Sequence, residues 1–444
     1  MINLSRLSLD RTPPLWVPLQ FMITAPLFAV LFALLMLWLG PQTLLSRWMP
    51  GLIGATHVLV LGYLAMVMFG AMQQLLPVVA GSPLPRDLLT SRVTHGLLAL
   101  GTPFLGIGLA TTQPWAVQVG GVMVLGAMMI FIIGALISLA RSRARGPTPT
   151  GLWLAVISLL MAMVLGGWLA SGHLGQGWPL PRYMTDIHLI WAFFGWIALL
   201  IAAVAYQVVP MFQMTPEYPR LFARGYAPLV FTLLILLTLP IWLPVPGWLA
   251  PLAGATLAAA LAAFAAITLW LQSRRRRRNA DVTVHFWRTG LIALLAAIGL
   301  WALAHLLPGW NPRGPLSLLP AWLFLAGFAM SIINGMLYKI VPFLVWLHLN
   351  NQRLSTGNLR APIPNMHEVI PLRLTRWQLY LHWLTLAGTV GALFWSVLFT
   401  PALLLLAASN GLLTWNLAHG ARQFRRWHRI LTTPNPALNA NRTS

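Results

Sequence analysis

The chain has 444 residues, of which 58% are hydrophobic and 8% are charged, with 28 Lys and Arg against 6 Asp and Glu. Soluble globular domains carry roughly a quarter charged residues, so this composition excludes a soluble protein. The chain has no cysteine, which excludes disulfides, thiolate metal sites, iron–sulfur clusters and covalently attached c-type haem.

Uncharged intervals between the arginines predict the membrane spans in chain order, at about 20 residues per helix. The first apolar run, Leu15 to Leu39, is expected to be a span. Single helices are expected before residue 47 and in the intervals 47–86, 145–182, 186–217, 288–313 and 313–353. Longer intervals at 93–140, 225–273 and 377–421 each have room for a helical hairpin. Two intervals with room for one helix, followed by one with room for a two-helix hairpin, occur three times along the chain. This order predicts twelve helices.

The arginines also predict the orientation of the chain. When the loops are assigned alternately to the two sides, 24 arginines fall on the side of both termini, and the other side holds only Arg47, Arg182 and Arg313. Basic loops stay cytoplasmic, so we expect a multi-pass inner-membrane protein with both termini in the cytoplasm. The run Arg274–Arg278 is interpreted as a contact with anionic lipid of the inner leaflet rather than with nucleic acid. Residues 434–444 are expected to form a disordered tail.

Related sequence strings end the second, sixth and tenth predicted helices, which indicates an internal repeat. The strings are Gln73-Gln74-Leu75-Leu76-Pro77, Tyr206-Gln207-Val208-Val209-Pro210 and Tyr338-Lys339-Ile340-Val341-Pro342. A glycine precedes each proline by 15 positions, and Gly62, Gly195 and Gly327 are 133 and 132 residues apart. Such a period indicates repeated structural units. We expect one membrane domain, 1–444, built from repeats 1–145, 146–278 and 279–433 around a pseudo-threefold axis.

Two helices resemble subunit I of the haem–copper oxidase superfamily. The second helix carries His57 near its outer end, where that family has a ligand of the low-spin haem. The sixth reads His188-Leu189-Ile190-Trp191-Ala192-Phe193-Phe194-Gly195-Trp196 and is similar to the family string H-L-x-W-F-F-G-H-P-E-V-Y. The resemblance implies twelve helices in three units of four and a bound haem.

The sequence departs from the family at its metal ligands. Trp196 stands at the copper-ligand position of the sixth helix, and Pro320-Ala321-Trp322 stands where the tenth helix of the family carries H-x-H. The seventh helix has no histidine, so only His57 remains of the six metal ligands. Oxygen reduction at a haem–copper pair is therefore not expected. The NnrS family, whose twelve-helix membrane proteins are linked to haem, copper and nitric oxide stress, is a looser comparison without shared local motifs.

Four histidines fall at outer helix ends and form the candidate binding site: His57, His173, His188 and His305. Imidazole is an axial ligand of haem. Arg47, Arg182 and Arg313 are available to pair with haem propionates. We expect a non-covalent b-type haem near the outer surface, bound by His57 and by either His188 or His305.

Two other interpretations stay open. Imidazole and carboxylate also suit copper or zinc, so His57, His188, His305, His173 and Asp186 are candidate ligands of a metal ion in a copper or haem carrier. A metal-free transporter is the third interpretation. It would use an intramembrane polar cluster of Gln74, Tyr206, Gln207, Tyr338 and Lys339, where an intramembrane charge indicates function. Lys339 can instead extend its charge to the membrane surface.

The haem interpretation implies electron transfer, or nitric oxide or oxygen chemistry or sensing. It predicts a redox partner subunit or a periplasmic electron donor, because the chain shows no second redox site. Membrane lipid is the other expected partner, and nucleic acid is not expected. No catalytic residue is assigned. The histidines on the inner side, which include His95, His285, His348 and His382, show no ligand spacing and are interpreted as headgroup contacts.

Overall fold

The computed structural model describes residues 12–173, 182–277, 280–307, 314–356 and 361–432. Within these ranges the regular structure is entirely helical. The predicted tail at 434–444 and Arg313 lie outside the described residues.

The described residues form long helices. They are α1 Trp16–Leu39, α2 Pro50–Val79, α3 Asp87–Ala110, α4 Pro114–Arg141, α5 Pro147–His173, α6 Arg182–Gln213, α7 Arg220–Ile241, α8 Leu249–Ser273, α9 Val282–Leu306, α10 Gly314–Ser355, α11 Leu372–Ala392 and α12 Phe399–Thr432. Eleven of those in the described ranges, all except α11, are long and apolar enough to cross a membrane. The protein is therefore an all-α, multi-pass membrane protein. The threefold arrangement of twelve spans and the cytoplasmic termini stay predictions.

Local sequence explains where several helices begin. Pro50, Pro114 and Pro147 each open a helix, where the missing N–H of proline costs nothing and its fixed φ suits the first turn. Asp281 precedes α9, and its carboxylate accepts a hydrogen bond from the Val284 backbone N–H at 3.2 Å. That contact satisfies one of the open donors at the start of the helix.

The helices α2, α6 and α10 are the most buried of the molecule. The apolar windows of α2 and α6 are 67% buried and that of α10 is 56% buried, against at most 50% in the other spans of the described ranges. A membrane helix loses exposure only by packing against protein, so these three helices form the centre and the others surround them.

Each of these central helices contains a π-helical segment of eight residues. The segments are Val58–Ala65, Trp191–Ala198 and Leu323–Met330. They begin 133 and 132 residues apart, which is the spacing of the repeated glycines, and each glycine is the fifth residue of its segment. Runs of π-helix are rare and interrupt the regular helical register, so the three helices share one unusual distortion at one register.

Glycines at helix crossings allow the backbones to approach closely. A Cβ on Gly54 of α2 would lie 2.1 Å from the carbonyl oxygen of Gly106 in α3. A Cβ on Gly62 would lie 2.2 Å from Cδ1 of Phe28 in α1. Small residues at membrane-helix contacts increase van der Waals packing where no hydrophobic driving force exists. These crossings hold α2 between α1 and α3.

Candidate functional site

A cavity of about 670 Å³ lies among α1–α6 and α10–α12, and most of its lining is apolar. This volume is typical of cofactor and small-molecule sites, which combine apolar walls with a few placed polar groups. The polar groups here lie toward the outer ends of α2 and α6. They include His57, His188, Arg47 and Arg182.

His57 of α2 and His188 of α6 come together in the wall of this cavity. Their ring centres are 6.3 Å apart, and the ring planes are 14° from parallel. Two separate spans contribute the two imidazoles, and both side chains are only partly exposed. The fold therefore forms a pair of histidines from residues 131 positions apart in the sequence.

Backbone carbonyls hold both imidazole rings in one tautomer. Nδ1 of His57 lies 2.8 Å from the carbonyl oxygen of Ile53, and Nδ1 of His188 lies 2.9 Å from that of Ala162. A carbonyl only accepts hydrogen bonds, so Nδ1 carries the proton and Nε2 carries the lone pair of the neutral ring. Metal-ligating histidines are oriented by this type of contact.

Glycines of α4 and α5 shape the cavity beside this pair. A Cβ on Gly166 would lie 3.0 Å from Cε1 of His188, so glycine at this position leaves room for the imidazole ring. Gly121 also lines the cavity, and a Cβ built on it meets no atom within 4 Å. A side chain at 121 would therefore meet open space.

A small charged group lies at the outer end of the cavity. Arg47 donates to the carboxylate of Asp186 at 2.6 Å. The guanidinium carbons of Arg47 and Arg182 lie 4.5 and 5.5 Å from the ring centre of Trp48, within the range of cation–π attraction. The structure thus brings two of the three outer arginines and Asp186 to one place, beside His57 and His188.

The other predicted ligands are not brought to this pair. His305 is exposed, its ring packs on Trp301 at 4.5 Å, and its Nδ1 donates to the Trp301 carbonyl at 2.8 Å. It is not among the described residues that line the cavity. His173 ends α5, but its side chain lies outside the described residues, as does Arg313.

In the described part of the chain no group of three or more His, Asp and Glu side chains could hold a metal ion. Two imidazoles, a large apolar cavity and the arginines at its end would suit a haem, because imidazole binds haem iron and arginine pairs with propionates.

The predicted intramembrane polar cluster is divided in the structure. Gln74 and Gln207 line a small cavity of about 80 Å³, together with Ile340 of α10. Lys339 instead pairs with Asp281, with its Nζ 2.5 Å from Oδ2.

The two tyrosines of that cluster have separate surroundings. Tyr338 accepts a hydrogen bond from the Asn416 amide at 2.9 Å, and the ring of Tyr206 packs edge-on against Tyr218 at 5.0 Å. Only the two glutamines therefore meet at one cavity.

A buried polar network around His382 was missed by the sequence reasoning. His382 is 2% exposed, so its assignment to lipid headgroups is wrong. Its Nε2 lies 2.7 Å from Ser331 Oγ, and its Nδ1 lies 3.5 Å from the Asn334 amide nitrogen. Tyr63 donates to the Asn334 side-chain oxygen. The available signal was the spacing of Ser331 and Asn334, which lie one turn apart on the same helix.

No protein-family model and no curated protein matches this chain.

Proposed function

We propose that this protein is an integral membrane haem protein in which His57 and His188 would hold a non-covalent b-type haem. One observation carries the proposal. Two imidazoles from different central helices meet in the wall of a large apolar cavity, and the Nδ1–H of each donates a hydrogen bond to a backbone carbonyl. Their ring centres are 6.3 Å apart, so both imidazoles could contact one group held in the cavity.

The chain provides each part of this site. His57 and His188 orient Nε2 through their carbonyl contacts, Gly166 leaves space beside the His188 ring, and Arg182 offers a cation for a propionate. A bound haem supplies one-electron redox chemistry. Because two imidazoles would be available to hold the group, we propose electron transfer rather than binding of oxygen or nitric oxide as its role. The partner is then an electron donor or acceptor on the outer face.

We also propose the plan of haem–copper oxidase subunit I without its copper centre. Three π-helical segments at the spacing of the repeated glycines support a threefold repeat. Gln74 and Gln207, at equivalent positions of two repeats, reach the same small cavity beside Ile340. The arginine distribution supports cytoplasmic termini in the inner membrane of the cell.

Absorption spectra of the purified protein test the proposal. After expression with sufficient haem, we expect about one haem per chain and a Soret band of a low-spin, six-coordinate centre. The variants His57→Ala and His188→Ala should each lose or shift that band, since each removes an imidazole that would hold the haem. His305→Ala is the matched control, because His305 lies at an outer helix end but away from the cavity, and its spectrum should be unchanged.

Other outcomes would reject the proposal in distinct ways. Spectra of His57→Ala and His188→Ala identical to the wild type would exclude these ligands. Colourless protein that carries copper would favour the metal carrier. Haem that is bound at one per chain but exchanges within minutes with free haem would favour a haem carrier over an electron-transfer protein.

A further inference from the structure

His348, near the predicted inner end of α10, has a backbone carbonyl at each of its two ring nitrogens. Its Nδ1 lies 2.9 Å from the carbonyl oxygen of Leu344, one turn earlier on the same helix. Its Nε2 lies 3.0 Å from the carbonyl oxygen of Pro13, in the segment that precedes α1. The imidazole therefore joins the segment before the first helix to the end of a central helix.

Two carbonyl acceptors determine the protonation state of this ring. A carbonyl oxygen only accepts hydrogen bonds, and a neutral imidazole carries one N–H, whereas an imidazolium carries two. With a neutral ring, one carbonyl oxygen would face the lone pair of a ring nitrogen at 2.9 or 3.0 Å. The imidazolium instead donates to both carbonyls, and its charge strengthens both hydrogen bonds. The arrangement is therefore that of a protonated histidine.

The contact of Nδ1 alone is made by other histidines of this chain. His57 and His305 also place Nδ1 2.8 Å from the carbonyl oxygen four residues earlier, and a neutral ring can make that contact. His348 differs from His305 in the second carbonyl, which belongs to another element. The protonated state thus follows from the contact with Pro13.

The segment that His348 holds is packed against two helices. Pro13 is buried, whereas His348 is partly exposed. Phe424 of α12 packs edge-on against the His348 ring, with the ring centres 6.5 Å apart. The guanidinium carbon of Arg425 lies 4.7 Å from the ring centre of Trp16, at the start of α1. The segment therefore lies at the inner ends of α10 and α12, where the imidazole can exchange protons with the cytoplasm.

The surroundings of His348 are mostly basic. Among the described residues His348 forms no ion pair with a carboxylate, and Glu368 instead accepts a hydrogen bond from the Asn365 backbone N–H. Asp10 and Arg11, which precede the segment, lie outside the described residues. The charged and titratable side chains on the neighbouring parts of the packed elements are Arg353 of α10, His367 and Glu368 of the short helix Met366–Val369, and His419, Arg425 and His428 of α12.

We propose that His348 is a pH-dependent clamp on the N-terminal segment, closed when the imidazole is protonated and open when it is neutral. Loss of the proton leaves one carbonyl without a donor. The Pro13 contact is the one that separates, because Leu344 is fixed on the same helix. The closed form binds one more proton than the open form, so low pH favours it and rising pH opens it. The clamp does not depend on what the cavity binds.

A spin label on the segment tests the pH response, because the natural chain has no cysteine. Pro14→Cys places a nitroxide at an exposed position next to Pro13. In mild detergent we expect an immobile spectrum at about pH 5 and a mobile one at about pH 8, the range in which histidine changes its charge.

Two further variants decide whether His348 causes that response. Combined with His348→Gln, the label should give a spectrum that no longer changes with pH. His428→Gln is the matched control, because it removes a neighbouring histidine and leaves both carbonyl contacts, so the response should persist. Equal spectra at the two pH values with His348 present, or a response that survives in His348→Gln, would overturn the clamp.

Nitrogen NMR of the ring tests its protonation directly. In protein labelled with ¹⁵N-histidine, the His348 signals are those absent from the variant His348→Gln. We expect two ring N–H groups at about pH 5 and one at about pH 8. A ring with a single N–H at the lower pH would overturn the imidazolium. A ring that keeps both at the higher pH would overturn the switch.

Discussion

Gly54 shows how one missing methyl group determines a helix crossing. A Cβ at this position would meet the Gly106 carbonyl oxygen at 2.1 Å and the Ala110 backbone nitrogen at 2.7 Å. Both atoms belong to the backbone of α3, so neither can move away by changing a rotamer. The two helices must separate to admit a larger residue.

We therefore expect Gly54→Ala to lower the free energy of unfolding by about 1–3 kcal/mol, the usual cost of overpacking. Thermal unfolding in mild detergent, followed by tryptophan fluorescence, measures the effect. Gly96→Ala in α3 is the control, because its Cβ would meet no atom within 4 Å. An unfolding midpoint of Gly54→Ala equal to that of Gly96→Ala would contradict the tight crossing.

Asp281 connects two elements, α9 and α10. One carboxylate oxygen caps α9 through the Val284 backbone N–H, and the other pairs with Lys339 of α10. The side chains of Lys339 and Asp281 are 17% and 23% exposed. Lys339 therefore has a structural partner at the end of a neighbouring helix, and this observation reduces the case for a transporter that depends on its charge.

A double-mutant cycle tests this connection. Asp281→Asn keeps an oxygen that can cap α9 but loses the charge, and Lys339→Met leaves the carboxylate without its counter-ion. We expect each single variant to be destabilised and the double variant to lose less than the sum, with a coupling of about 0.5–3 kcal/mol. Additive losses in the unfolding measurement would show that the ion pair contributes nothing.

The orientation of the whole molecule follows from loop charge and is open to a direct test. Gln113 joins α3 to α4 on the predicted outer side, and Ser142 follows α4 on the predicted inner side. In intact cells we expect an impermeant maleimide to label Gln113→Cys and to label Ser142→Cys only after the membrane is opened. Unmodified protein serves as the control, since it has no thiol. The reverse pattern would invert the topology.

The sequence by itself determined that this is a multi-pass helical membrane protein. Long uncharged runs are too apolar to stay in water, and in lipid a helix satisfies their backbone hydrogen bonds. It also identified His57, His188, Arg47, Arg182 and Asp186 as candidates, since each lies at the same end of its predicted helix. Position along a helix axis follows from counting residues. The π-helical segments begin 133 and 132 residues apart, which is the spacing of Gly62, Gly195 and Gly327 in the sequence.

Only the tertiary structure decided which candidates meet. Whether an imidazole turns toward a neighbour depends on helix rotation and crossing angle, which are set by packing across the whole molecule. Rotation brings His188 to His57 and turns His305 onto Trp301. It also buries His382 beside Asn334, a contact between helices separated by a long loop. Sequence counting gives the depth of a side chain in the membrane, but packing gives its direction.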